Sequence, residues 1–177
     1  MMTNRTQTIA GGDQATAPRS DYSLVVRIAT RWGDYDMLGH VNNVEYYRYF
    51  EIIVLTSLAR AGLDWRQDRI IPFTVENHCC FCRPLMPVDT MDGCFRIARI
   101  GRSSATYELG LFTPNDETAS AYGYFIHVFV DRHTERSAEI PEGIRASFDA
   151  HRTRLDNKRD PEYIGASALF PAVVHVP

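Results

Sequence analysis

The sequence predicts an α+β domain: an antiparallel five-stranded sheet wrapped around one long central helix, in the order β-α-β-β-β-β. Three observations predict it. One helical segment, from Asn43 to Ala61, is apolar around more than half of its circumference. Four later segments are rich in aromatic and branched residues. Turn signals rather than helices separate those four, which favours antiparallel neighbours over βαβ crossovers.

Length and composition frame that reading. A chain of 177 residues with 45% apolar and 23% charged side chains has the length of one domain and the material for a core. The net charge of −3 argues against a partner made of nucleic acid, whose binders are typically basic. No apolar run reaches the roughly 18–20 residues that span a bilayer, so no membrane partner is expected. Met1 to Ser20 lacks the apolar segment of a secretory signal. Three of the four cysteines crowd at Cys79, Cys80 and Cys82, unlike a disulfide framework, and read as buried thiols of a cytoplasmic protein.

Residues 1–20, rich in Thr, Gln, Gly, Asp and Ala without a period, read as a disordered tail ahead of a domain spanning 21–155. From there Leu24, Val26 and Ile28 alternate with Val25, Arg27 and Ala29, a strand with one strongly apolar face. A loop from Arg31 to Asn43 follows. Asn42 then stands as N-cap with Glu45 in capping-box position, and Gly62 stops the helix. Val44, Tyr46, Tyr47, Phe50, Ile53, Val54, Leu55 and Leu58 cover so much of the helix that it is expected to be nearly surrounded by protein. The later strands are read at Pro72–Phe81, Thr90–Ile100, Ala105–Phe112 and Ala119–Asp131. A short second helix is expected from Pro141 to Arg154. In the extension 156–177, the apolar residues Leu169, Phe170, Val173 and Val174 are candidates to dock on the body or a partner.

The run Gly33-Asp34-Tyr35-Asp36-Met37-Leu38-Gly39-His40-Val41-Asn42-Asn43, followed by Tyr46-Tyr47-Arg48-Tyr49-Phe50-Glu51, leaves a strand and enters the long helix. It resembles the hotdog-fold acyl-CoA thioesterases of the 4-hydroxybenzoyl-CoA thioesterase type. The strand order and the Phe81-Cys82-Arg83-Pro84 strand end extend the resemblance over residues 22–150. It implies a hotdog fold that hydrolyses an acyl-CoA or aryl-CoA thioester without metal or other cofactor. It also implies a homodimer or homotetramer with shared active sites. The acidic residue that acts on the thioester carbonyl falls at Asp36. An acyl-carrier-protein thioesterase and a non-catalytic acyl-thioester binding protein are the alternatives.

The chemistry of these residues is coherent beside the resemblance. A thioester hydrolase needs a base or nucleophile and donors for the tetrahedral oxyanion. Asp36 precedes the helix, where backbone N–H groups from Gly39 to Asn43 meet the positive end of its dipole. Gly39 lets the backbone approach a carbonyl, and Asn43 reads as a backbone donor. His40 either takes part in the reaction, as in the related plant-type acyl-carrier-protein thioesterases, or hydrogen-bonds loop carbonyls. Those enzymes carry Asn where this chain has Leu38. Glu51 is the rival carboxylate. Its place among Val44, Leu55 and Leu58 on the helical wheel favours a buried or interfacial group, hydrogen-bonded to loop backbone and holding the loop, over a catalyst. Asp34, Asp36 and His40 together lack the further ligand that a metal centre needs. For substrate binding, the turn Gly101-Arg102-Ser103-Ser104 resembles the family's CoA-contacting turn. Arg83, Arg99 and Arg102 are candidates for nucleotide phosphates, and Tyr46 for the acyl pocket.

Overall fold

A computed structural model of the protein describes residues 17–157 and 159–165. Strand β1 (Leu24–Ala29) leads into the long helix α1 (Asn43–Arg60), and β2 (Ile70–Phe81), β3 (Thr90–Ile100), β4 (Ser104–Phe112) and β5 (Ala121–Asp131) follow. A two-residue β6 (Arg136–Ser137), the helix α2 (Glu142–Asp156) and a short β7 (Glu162–Gly165) complete the chain. The strands lie in the order β2-β5-β4-β3-β1-β7, with β6 continuing beside β5. All neighbours are antiparallel except β1 and β7. This is the hotdog arrangement, a curved sheet folded around α1.

Two details depart from the sequence reading. The sheet has seven strands rather than five. β6 is too short to carry a periodic signal, and β7 follows a helix in the segment taken for an extension. β7 joins as a parallel edge held by backbone pairing and by the ion pair of Arg60 with Glu162. The expected tail is also packed at its end. Ala17 is buried with Tyr22, Val25, Cys94 and Phe112 on the outer face of the sheet, and Arg19 pairs with Asp92. The apolar residues Leu169, Phe170, Val173 and Val174, and residues 1–16, lie outside the described residues.

The core lies between the inner face of the sheet and α1. Phe50, Ile53, Val54 and Leu58 meet Leu24, Val26, Ile28, Phe95, Leu109 and Phe129 there. Gly93 permits that approach: a Cβ on it would lie 2.5 Å from Ile53 Cγ1. Among the described residues, the helix is nonetheless not fully surrounded. Val44 is 60% exposed, Glu51 is exposed, and Tyr47 and Leu55 are half-buried. These four positions form one stripe at helical spacing. The broad apolar arc thus comprises a buried face and a second face that the described residues leave uncovered. The stripe lies beside the edge strand β2, where Phe73, Val75 and Phe81 are exposed. The cysteines follow the same edge: Cys79 is buried, whereas Cys80 is half-buried and Cys82 exposed. Among the described residues, no helix is long and apolar enough to cross a membrane.

Candidate active site

The loop between β1 and α1 is a closed ring. Tyr35 and Val41 form an isolated antiparallel bridge. The Asp36 N–H donates to the His40 carbonyl at 2.9 Å, and the Gly39 N–H returns to the Asp36 carbonyl at 3.1 Å. Gly39 closes this tight path with φ of +76°, the left-handed region where a side chain is strained. The Asp36 carboxylate sits inside the ring, half-buried. Its Oδ1 accepts the N–H of Leu38 at 2.8 Å and that of His40 at 3.4 Å.

The helix start is capped by Asn42, whose Oδ1 accepts from the Val44 N–H at 3.3 Å. The Glu45 carboxylate does not complete a capping box. It faces the guanidinium groups of Arg48 at 3.3 Å and Arg31 at 3.5 Å. Of the expected oxyanion donors, most are committed inside the protein. Gly39 N–H and His40 N–H bind Asp36, Val41 N–H binds the Leu85 carbonyl and Asn42 N–H binds the Asp34 carbonyl. The Asn43 N–H is the donor without an acceptor among the described residues, at the positive end of the helix.

The carboxylate that holds this loop is Asp34, not Glu51. Asp34 is buried and accepts from the Arg31 backbone at 2.8 Å, the Arg31 guanidinium at 2.8 Å and the Tyr49 hydroxyl at 2.7 Å. Burial alone would raise its pKa. The Tyr49 hydroxyl, the Arg31 N–H and the Arg31 guanidinium outweigh burial and leave it below the ordinary carboxylate value. These partners were missed in the sequence, although an Arg and an Asp three residues apart just before a helix are a local signal. Glu51 instead stands exposed on the uncovered stripe, because the apolar residues around it on the wheel, Val44 and Leu55, are on that stripe too.

The ring packs on the segment after β2. Tyr46 is buried and accepts the Leu85 N–H on its hydroxyl at 3.1 Å, with its ring edge-on to Phe81 at 4.9 Å. Burial raises its pKa. Asp34 is committed to Arg31 and Tyr49, and among the described residues no three His, Cys, Asp or Glu side chains are placed to hold one metal ion. Arg83 is drawn into a local network, with its guanidinium 2.9 Å from Asp116 and bonded to Ser120.

The remaining binding candidates lie at the other end of the sheet. The Asp36 ring adjoins the start of β3, where Tyr35 Oη meets Val88 and the Thr30 N–H reaches the Asp89 carbonyl. Ser103, Ser104, Arg102 and Arg99 adjoin the end of β3, ten residue steps away, roughly 33 Å along an extended strand. Arg99 is exposed, Arg102 pairs with Glu139 at 3.1 Å, and the Arg145 guanidinium binds the Gly101 carbonyl at 2.6 Å. Within one subunit this turn and Asp36 are not brought together.

Comparison with known proteins bears on the fold and the family. The PA5185 protein of Pseudomonas aeruginosa strain PAO1 has a crystal structure that superposes with a TM-score of 0.73. It is 38% identical, over 76% of this chain and 94% of its own. A thioesterase from Thermus thermophilus, solved in complex with coenzyme A and Zn, superposes with a TM-score of 0.65. It is 27% identical over 76% of this chain and 97% of its own. YsmA of Bacillus subtilis (strain 168) is 23% identical over 88 residues, 50% of this chain, and the match spans 60% of that relative's length. The family model of the thioesterase-like superfamily matches residues 30–148, from the end of β1 into α2. The chain belongs to the thioesterase-like superfamily.

Proposed function

We propose that this protein hydrolyses an acyl-CoA or aryl-CoA thioester to the free acid and CoA, with Asp36 as general base or nucleophile. Thioester hydrolysis is the chemistry of its superfamily. The observation that carries the assignment is the Asp36 ring at the start of α1. The carboxylate is fixed by backbone donors through Oδ1, a few residues from the unpaired Asn43 N–H. A thioester carbonyl placed over that N–H would be polarised by the donor and the helix dipole as negative charge develops on its oxygen. With Asp36 as base, it takes the proton of an attacking water, the water oxygen bonds to the carbonyl carbon, and the C–S bond then breaks. CoA leaves as a thiolate, a good leaving group given that a free thiol has a pKa of roughly 8.5.

The working unit is a dimer in this reading. β2 is a twelve-residue edge strand with Phe73, Val75 and Phe81 exposed, and the stripe Val44, Tyr47, Glu51 and Leu55 lies open beside it. Antiparallel pairing of two β2 edges would bury both features. It would also set the Gly101–Ser104 end of one subunit toward the Asp36 end of its partner. The test is a panel of aliphatic and aromatic acyl-CoAs and acylated carrier protein, read by release of free thiol. Turnover of CoA esters supports the reading, preference for the carrier protein moves the substrate, and binding without thiol release overturns the hydrolase.

A further inference from the structure

We propose that the groove between α1 and the β1–β7 edge of the sheet binds an organic carboxylate with an apolar tail, at a site separate from the Asp36 ring. The groove encloses about 760 Å³. Ile28, Tyr49, Ile52, Tyr163 and Ile164 line it, and Thr90 adds a hydroxyl. Arg27, Arg31 and Arg48 are its charged lining residues, and among the described residues no Asp or Glu lines it. A concave, mostly apolar site with a few charged groups of one sign suits a small amphipathic ion of the opposite sign. The sheet order keeps this groove away from the proposed assembly edge, since β7 and β2 lie at opposite ends of it. On α1 it uses Arg48 and Ile52, one turn apart and outside the stripe of Val44, Tyr47, Glu51 and Leu55. Its β7 wall lies beyond residues 30–148, so the family match does not account for it. The inference goes beyond the hydrolase reading and does not depend on it.

The existing contacts of the three arginines set the charge of the ligand. Arg27 gives Nε to Asp92 at 3.0 Å, and Arg31 gives Nε and Nη2 to Asp34 at 3.1 and 2.8 Å. Arg48 faces Glu45 through Nη1 at 3.3 Å. A guanidinium carries five N–H donors, so each of the three keeps donors for a further acceptor. All three side chains are more than half exposed, whereas Asp92, Asp34 and Glu45 are buried behind them. Three carboxylates thus balance three cations, which favours a ligand with one negative charge over a polyphosphate. A carboxylate also matches the guanidinium fork, accepting two parallel charge-assisted hydrogen bonds. An alcohol of the same length forgoes that charge, and an anion without a tail leaves the apolar walls in water.

The experiment titrates decanoate and 1-decanol against the full chain by calorimetry at pH 7. Decanoate should bind about ten-fold more tightly than 1-decanol, the scale of a charge-assisted hydrogen bond. Arg48→Gln should bring that ratio toward one. Ile52→Glu, which sets a negative charge in the apolar wall, should abolish decanoate binding. Both positions are partly exposed, and if one variant does not fold, the other decides. Decanoate binding that neither substitution weakens places the ligand elsewhere and overturns the inference. Equal affinities for decanoate and 1-decanol overturn it as well, because the arginines then contribute nothing. A full chain that binds neither compound has this groove covered, by its own continuation beyond Gly165 or by a second copy, and this too overturns it. No readout here uses CoA or thiol release, so failure leaves the acyl-CoA reading standing.

Discussion

The Tyr49 hydroxyl donates to Asp34 Oδ2 at 2.7 Å, joining the second turn of α1 to the loop that leads into it. Both side chains are buried, and the same carboxylate takes the backbone and the guanidinium of Arg31. Asp36 is two residues further on, so this bond fixes the base of the ring in which Asp36 sits. Tyr49→Phe keeps the ring and removes the donor. It should cost about 1–3 kcal/mol through the lost hydrogen bond to a buried carboxylate, whose Oδ2 keeps only the Arg31 N–H. At roughly 2–4 °C per kcal/mol for a chain of this size, the melting temperature should fall by several degrees. Turnover should fall as well, since the ring is no longer anchored from the helix. A Tyr49→Phe protein with wild-type melting would show that the bond does not stabilise the fold.

The depressed pKa of Asp34 gives that anchor a pH signature. A carboxylate whose folded pKa lies below its unfolded value near 3.8 stabilises the fold above that value and loses the contribution as pH falls further. Asp131, held at about 2 chiefly by its hydrogen bond from Arg69, acts in the same direction. His127 operates in a higher window. Burial lowers its pKa from 6.5 to about 4, so between those values the unfolded chain binds a proton that the native state does not. Stability should therefore be complete above about pH 6.5 and decline toward pH 4. Urea midpoints at pH 7 and pH 5 should differ for the wild type and differ less for His127→Gln. An equal difference in both proteins would assign the slope to other groups.

The fold was legible in the sequence because each element carried its own period. The alternation at Leu24–Ile28, the Asn42 cap and the short turns between later strands all recur in the structure. The strand β7 was not legible, because four residues after a helix are too few to show a period. The Asp36 loop was legible as a motif, but the identity of its anchor was not. A helical wheel cannot distinguish an apolar face buried by the same chain from one left for a partner. The buried carboxylate that anchors the loop is Asp34, bonded to Tyr49, whereas Glu51 stands exposed on the stripe. Likewise the sequence does not show how far the turn Gly101–Ser104 lies from the Asp36 ring; the roughly 33 Å length of β3 separates them.

The exposed edge yields a prediction about assembly. A long β2 with apolar exposed residues pairs readily with another strand, and natural edges resist pairing with charge, especially Lys. Val75 sits at the irregularity between Thr74 and Glu76 and is 59% exposed, so Val75→Lys removes nothing from the core of the subunit. Sedimentation should find the wild type as a dimer or higher assembly and Val75→Lys shifted toward monomer, with turnover lost in parallel. Full activity in a monomeric Val75→Lys protein would show that one subunit carries the complete site, contrary to the separation of Asp36 from the Gly101–Ser104 turn.

The assignment of the base to Asp36 is tested against Glu51 by measuring rate and stability together. Asp36→Asn retains an oxygen for the N–H groups of Leu38 and His40 and removes only the charge. The ring should survive, the melting temperature should stay within about 2 °C, and turnover should fall by roughly 10²–10⁴, the scale for a positioned base. Glu51 is exposed within one subunit, so in the monomeric Val75→Lys background Glu51→Gln and Glu51→Ala should each change stability by less than about 0.5 kcal/mol. In the assembled protein their rate losses should be far smaller than that of Asp36→Asn. The comparison requires matched oligomeric state, because dissociation would lower rate and melting together. A folded, assembled Asp36→Asn protein that still turns over, beside an inactive Glu51→Gln, would move the catalytic carboxylate from the loop to the helix stripe.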